Sequence, residues 1–249
     1  SNNITNNDSA WIYGNKDISI MTNLNLINDG NIQAANDLTL ITRNSDNSGA
    51  IIGNSLTFNS NSITNLGEIS AIDSLTINSS SSLINSGSIL ANNDLIINSD
   101  SIDNSGADAT IASINLALTL NISNYLNNSG TIFTKTNLTL ANSDGTELNS
   151  VTNDGEISFN NLLGGLLVKD FSNSGSFISN QNLTITSNNS FNNSGIINSL
   201  NNLNLITTSL TNLGEISANQ QLTINSSADL TNSGNILSNS TLIVSANNL

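Results

Sequence analysis

Leu83-Ile84-Asn85-Ser86-Gly87-Ser88-Ile89-Leu90-Ala91 is one copy of a pattern that recurs along this chain of 249 residues. Asn-x-Gly appears eleven times, with its glycine at Gly30, Gly49, Gly67, Gly87, Gly106, Gly130, Gly155, Gly175, Gly195, Gly214 and Gly234. The successive spacings are 19, 18, 20, 19, 24, 25, 20, 20, 19 and 20 residues. In nine of the eleven copies an isoleucine stands two residues after the glycine; Asp108 and Phe177 are the exceptions. A unit of this length cannot bury an apolar face alone, so its apolar residues must pack on the same residues of the next unit. The chain is therefore read as a stack of repeats.

Within a unit the apolar residues alternate with polar ones, which is the strand signal. Leu83-Ile84-Asn85, Ser88-Ile89-Leu90-Ala91 and Leu95-Ile96-Ile97 form three such pieces before Ile102 opens the next turn. No apolar stripe holds helical spacing, and Asn, Ser, Thr and Gly are weak helix formers. Three short strands per ~20 residues, in register from unit to unit, predict an all-β parallel β-helix of about 12 coils. A leucine-rich horseshoe has a similar period, but each of its repeats needs a helical half, and none is legible. One repeat domain is expected over residues 1–249, irregular at about 107–170. Two insertions are expected there, near Ala107-Asp108-Ala109-Thr110 and at Ser143-Asp144-Gly145-Thr146-Glu147. Asn161-Leu162-Leu163-Gly164-Gly165-Leu166-Leu167 is a further anomaly.

The columns follow from the alignment. Ile32, Ile51, Ile69, Ile89, Ile111, Ile132, Ile157, Phe177, Ile197, Ile216 and Ile236 face inward, and a small residue two further on faces inward beside a corner, Phe159 excepted. The asparagines Asn28, Asn47, Asn65, Asn85, Asn104, Asn128, Asn153, Asn173, Asn193, Asn212 and Asn232 occupy one position in every unit. Stacked coils repeat at ~4.8 Å, so aligned amides can bond along the axis, as in cross-β ladders. A row of ligand-binding amides is the alternative for these residues. The glycine is expected to supply a left-handed bend.

Composition narrows the function. The net charge is −14, and Lys16, Arg43, Lys135 and Lys169 are the only cationic side chains. That leaves no basic stripe for nucleic acid or anionic membranes. No apolar run approaches the ~18 residues that cross a bilayer, so no membrane insertion is expected. Without Cys or His there is no thiolate, imidazole base or disulfide framework. The start at Ser1 and the end at Leu249, partway through a repeat, suggest a segment of a longer protein.

The pattern Leu-x-Asn-x-Gly-x-Ile-x-Ala-x(3)-Leu-x-Ile resembles the repeats of filamentous haemagglutinin-type exoproteins of bacterial two-partner secretion. Leu210-Thr211-Asn212-Leu213-Gly214-Glu215-Ile216-Ser217-Ala218, continuing to Leu222 and Ile224, is its clearest instance. The likeness spans about residues 18–244. It implies a right-handed β-helical rod that is secreted and displayed at the bacterial cell surface. Such shafts are shared by adhesins, haemolysins and contact-dependent toxin carriers. An outer-membrane secretion partner and a glycan or protein receptor on a host or neighbouring cell are implied by the resemblance alone. End-to-end contact with further coils or another copy is expected from the uncapped terminal strands, with Trp11 and Tyr13 covering part of the first coil.

Three other functions find little footing in the residues. A polysaccharide-degrading enzyme needs paired carboxylates within roughly 5–10 Å, but the recurrent Glu68, Glu156 and Glu215 fall in non-adjacent coils. Calcium binding among Asp144, Glu147, Asp154 and Glu156 lacks a known loop spacing. An ice-binding face would need paired threonine ranks, whereas Thr39, Thr57, Thr76, Thr139, Thr184 and Thr223 form one interrupted file. A carbohydrate-binding β-helix stays open as an alternative to the rod. No catalytic, cofactor-binding or metal-binding residue is expected.

Overall fold

A computed structural model describes residues 3–106 and 108–248. Ala107, part of the first expected insertion, lies outside them. Every element among the described residues is a strand, and every ladder is parallel. Each strand pairs with its equivalent one repeat earlier and one repeat later. Thus Glu68–Ala71 lies between Ala50–Gly53 and Ser88–Ala91, with Ile69 opposite both Ile51 and Ile89. The result is a β-solenoid of about 12 turns, in which the sequence period is the pairing register.

Each coil has three sides. The first ends at the ladder asparagine, the second follows the glycine, and the third carries pairs such as Leu75 and Ile77. Early coils keep them separate, as Asn25–Asn28, Asn31–Ala34 and Asp37–Ile41. Further on, the third side of one coil usually runs into the first side of the next as a single bent strand, as in Ser55–Asn65, Leu75–Asn85 and Leu183–Asn193. Most coils therefore hold one short and one long strand rather than the three short ones expected. The bend is a shift of register, between Ser79 and Ser82 in one coil, and it leaves the flanking backbone extended and paired. An inward hydroxyl closes it: Ser79 Oγ donates to Ser82 O at 2.7 Å, and Ser187 Oγ to Ser190 O at 2.7 Å.

The core is one apolar column per inward position. Ile32, Ile69, Ile89, Ile157 and Ile216 are fully buried, each contributing about 1.5–3 kcal/mol of apolar transfer. The small inward column is confirmed from Ala71 through Ala91, Ser113 and Thr134 to Ser179. Its hydroxyls do more than save space. Ser199 Oγ lies 2.7 Å from Gln181 O and 3.0 Å from Asn202 O, so its one hydrogen is shared between corner carbonyls of two coils. The two large exceptions meet: the rings of Phe159 and Phe177 lie edge to face, with centroids 5.5 Å apart at 78°. Phe171 joins Phe177 at 5.6 Å and stacks on Phe191 at 4.8 Å.

The glycines are explained differently from the expectation. Of the eleven, Gly106 alone has positive φ, at +117°. At the others the constraint is close approach. A Cβ on Gly87 would collide with the carbonyl oxygen of Gly67, and one on Gly67 with that of Gly49, well under the 3.0 Å that real Cβ atoms keep. Turn stacks directly on turn there, and only a residue without a side chain fits. Gly106 sits outside this column because the insertion displaces it. Thr131 N–H donates at 2.8 Å to Ala109 O, which stands where the other coils present a glycine carbonyl.

The second insertion is an Asp-Gly turn as expected: Gly145 has φ +78° and its N–H donates to Asn142 O at 3.0 Å. Gly164 and Gly165, at φ +80° and +74°, break the third side of the following coil. Trp11 and Tyr13 do not cover the coil end. They flank the inward Ile12 on the outer face, 62% and 59% exposed.

Candidate functional site

Two asparagine columns run along the rod, one inside it and one outside. In the inner column each Nδ2 donates to the Oδ1 of the next coil at 2.7–2.8 Å, from Asn28 to Asn47, Asn65, Asn85, Asn104 and Asn128, then Asn153, Asn173, Asn193, Asn212 and Asn232. Asn6 adds a rung below Asn28, at 2.8 Å. It escapes the sequence pattern because Asn7-Asp8-Ser9-Ala10 replaces the glycine turn.

The amide also fastens the turn. Asn85 Nδ2 donates to Gly87 O at 3.0 Å within its own coil and to Thr110 O at 3.1 Å in the next. Meanwhile the Asn85 carbonyl accepts from Ser105 N–H at 2.9 Å. These carbonyls fix the amide's orientation, since a flipped group would set Oδ1 against two carbonyl oxygens. Apart from the exposed Asn232, the column is buried. Its amides are spent on one another and on the turn backbone.

The outer column lies where the third side meets the bend. Asn78 Nδ2 donates to Asn59 Oδ1 at 2.7 Å, Asn98 to Asn78 at 2.6 Å, and Asn121 to Asn98 at 2.7 Å. Ile41 precedes Asn59 in register and Ala141 follows Asn121, so the ladder is finite. All four amides are half-buried on one wall of a groove of about 530 Å³. Beyond the bend, Ser80, Asp100 and Ser123 line its other side. A second groove of about 490 Å³ follows the equivalent bend nearer the C-terminus, past Asn188, Ile206 and Asn225. The insertion at 142–147 stands between them. Asn142 Nδ2 donates to Ser123 O at 3.2 Å, and Glu147 Oε2 accepts from Asn188 Nδ2 at 2.7 Å. Sequence reading missed this column, although three of its four members stand in the same motif, Leu-x-Ile/Phe-Asn-Ser, at residues 56–60, 75–79 and 95–99.

The carboxylates are dispersed. Glu68 lies opposite Ala50 and Ser88, and Glu156 opposite Thr131 and Ser176, so neither faces a second acid in register. Asp144 bonds Thr146, Asp154 accepts from Ser174, and Glu156 accepts from Ser158. No group of three or more potential metal ligands forms among the described residues. The Thr146 hydroxyl holds the Asp144 carboxyl below its ordinary range, and the Ser190 hydroxyl does the same for Asp170. The outward threonines stand in single file, Thr39, Thr57 and Thr76, before Ile96 interrupts them.

A parallel solenoid with an amide ladder at every turn defines a structural repeat rod. The chain belongs to the haemagglutinin repeat family, whose signature matches residues 1–73, 51–117 and 201–249. This is a family of structural and adhesive segments, typically secreted or surface-exposed. No curated protein and no solved structure matches the chain.

Proposed function

We propose that this chain is a shaft segment of a secreted bacterial exoprotein, displayed at the cell surface in adhesion or as a stalk for a distal tip. The observation that supports this most is the ladder, continuous from Asn6 to Asn232 through both insertions. Such continuity ties each coil to its neighbours and suits a stiff rod, roughly 58 Å long at one strand spacing per coil. A cysteine-free chain with few charges suits export unfolded and folding without oxidation. An outer-membrane export partner, a cell-surface receptor and continuation of the stack into further coils are part of this proposal.

The test uses cells producing the parent protein. Antibody against residues 1–249 should label unpermeabilised cells, and external protease should remove the label. Labelling only after permeabilisation would overturn the reading. Deleting residues 176–214 joins Gly175 to Glu215 and removes two coils in register. A stalk keeps its tip's activity after that deletion, whereas an adhesive face inside the deleted coils loses it.

A further inference from the structure

We propose that the groove along Asn59, Asn78, Asn98 and Asn121 binds a neutral linear polysaccharide lying parallel to the rod axis. The proposal rests on surface display, because that is where such polymers are met.

The chemistry begins with the open valences. An asparagine amide carries two N–H donors and two acceptor lone pairs. The outer ladder uses one donor and one acceptor of each interior member. The remaining pair engages no other described residue. The groove wall thus offers one donor and one acceptor per coil, repeated at ~4.8 Å. A sugar hydroxyl both donates and accepts, and a pyranose in an extended chain advances by close to one strand spacing.

Orientation strengthens the match. The inner amides are locked by backbone carbonyls, whereas the outer amides bond only one another. The outer ladder can reverse as a unit, exchanging donors for acceptors along the wall without losing a bond. A site for hydroxyls needs that adaptability.

Other polymers fit less well. No lysine or arginine lines the groove and Asp100 stands on its wall, which opposes sulfated, uronic and phosphate chains. An extended peptide repeats every two residues, at roughly 6.6–6.8 Å, and drifts out of step with the amides. The groove also has ends. Ile41 lines one end, and Ser143 of the insertion lines the other. The span suits a short run of sugar units, one per amide.

The experiment titrates the 249-residue chain by calorimetry with β-1,4-linked hexaoses of glucose, mannose and N-acetylglucosamine. Isomaltohexaose and heparin serve as controls. One neutral β-linked hexaose should bind in equal stoichiometry, and Asn78→Ala/Asn98→Ala should weaken it about tenfold or more. Asn225→Ala, in the other groove, should leave it unchanged. In the unaltered protein the same sugar should shift the side-chain amide NMR signals of Asn78 and Asn98 but not those of Asn85 and Asn104. That readout holds even if the double variant misfolds. No neutral hexaose binding at millimolar concentration, equal binding by a folded double variant, or preference for heparin would overturn the proposal. A failed titration removes the groove assignment and leaves surface display standing, whereas failed surface labelling does the reverse.

Discussion

Asn85 and Asn98 each pass an amide hydrogen to an asparagine in a neighbouring coil, at 2.7 and 2.6 Å. The bonds are alike and their settings are not. Asn85 is fully buried and also bonds Gly87 O and Thr110 O, so its loss leaves the buried amides of Asn65 and Asn104 each short of a partner and unties the turn from the coil after it. Asn98 is half-buried, and water can replace what it loses. What makes an amide ladder structural is the backbone it reaches, more than the bond between its rungs. The inner ladder has one sense, donating toward the C-terminus, whereas the outer one, bonded only rung to rung, can run either way.

The largest effect should come from wetting the dry interior on which the contrast between the two ladders depends. Ile89→Asp places a carboxylate at a fully buried position, between Ile69 and Ile111. A lone charge there is strongly disfavoured. Cooperative urea unfolding of the neighbouring coils should be lost, and an unchanged midpoint would show that the column is wet. Gly87→Ala comes next. Its methyl has to displace the Gly67 turn, at a cost of about 1–3 kcal/mol by overpacking, read as a lower urea midpoint.

The comparison itself is measured by Asn193→Ala against Asn98→Ala. The inner change should cost about 1–3 kcal/mol, as for a buried group left unpaired. The outer one should stay within about 0.5 kcal/mol. Equal losses in chemical denaturation would mean that rung-to-rung bonding is the whole effect. The smallest effect lies at the surface. The Ser190 and Asn189 side chains hold the Asp170 carboxyl low. Its contribution is present above the ordinary carboxylate range and is lost as pH falls toward the lowered folded value. Asp170→Asn should flatten the acid limb of melting temperature against pH, and an unaltered limb would show that the bonds do not persist.

Much of the solenoid was legible because its period is also its register: aligning the glycines aligns the isoleucines, the small residues and the inner amides. Asn6 was not, since its turn reaches the same place without glycine. The outer column carries its own motif, Leu-x-Ile/Phe-Asn-Ser, but in a chain so rich in Asn and Ser a half-exposed amide has no contrast with its surroundings. The reason for the glycines was hidden more deeply. A left-handed bend is a property of one residue, whereas the clash at Gly87 belongs to the turn below it and needs two coils in place. For the same reason the merging of third and first sides could not be read from one repeat. It depends on pairing across a bend whose length differs between coils, Ser79 to Ser82 against Ser99 to Ser101.

The inner ladder also gives the molecule a head and a tail. Every amide from Asn6 to Asn212 donates toward the C-terminal neighbour, so the side-chain dipoles point one way along the axis. A coil folded ahead of its successor presents an N–H where the next amide oxygen belongs, together with the carbonyl that accepts the next turn's N–H. In a stack whose units contact only their neighbours, folding propagates from any formed coil. Here the face exposed by N-terminal coils is already a polarised template. A chain emerging N-terminus first can therefore zip up one coil at a time, and each coil closed resists backward slippage like a tooth on a ratchet.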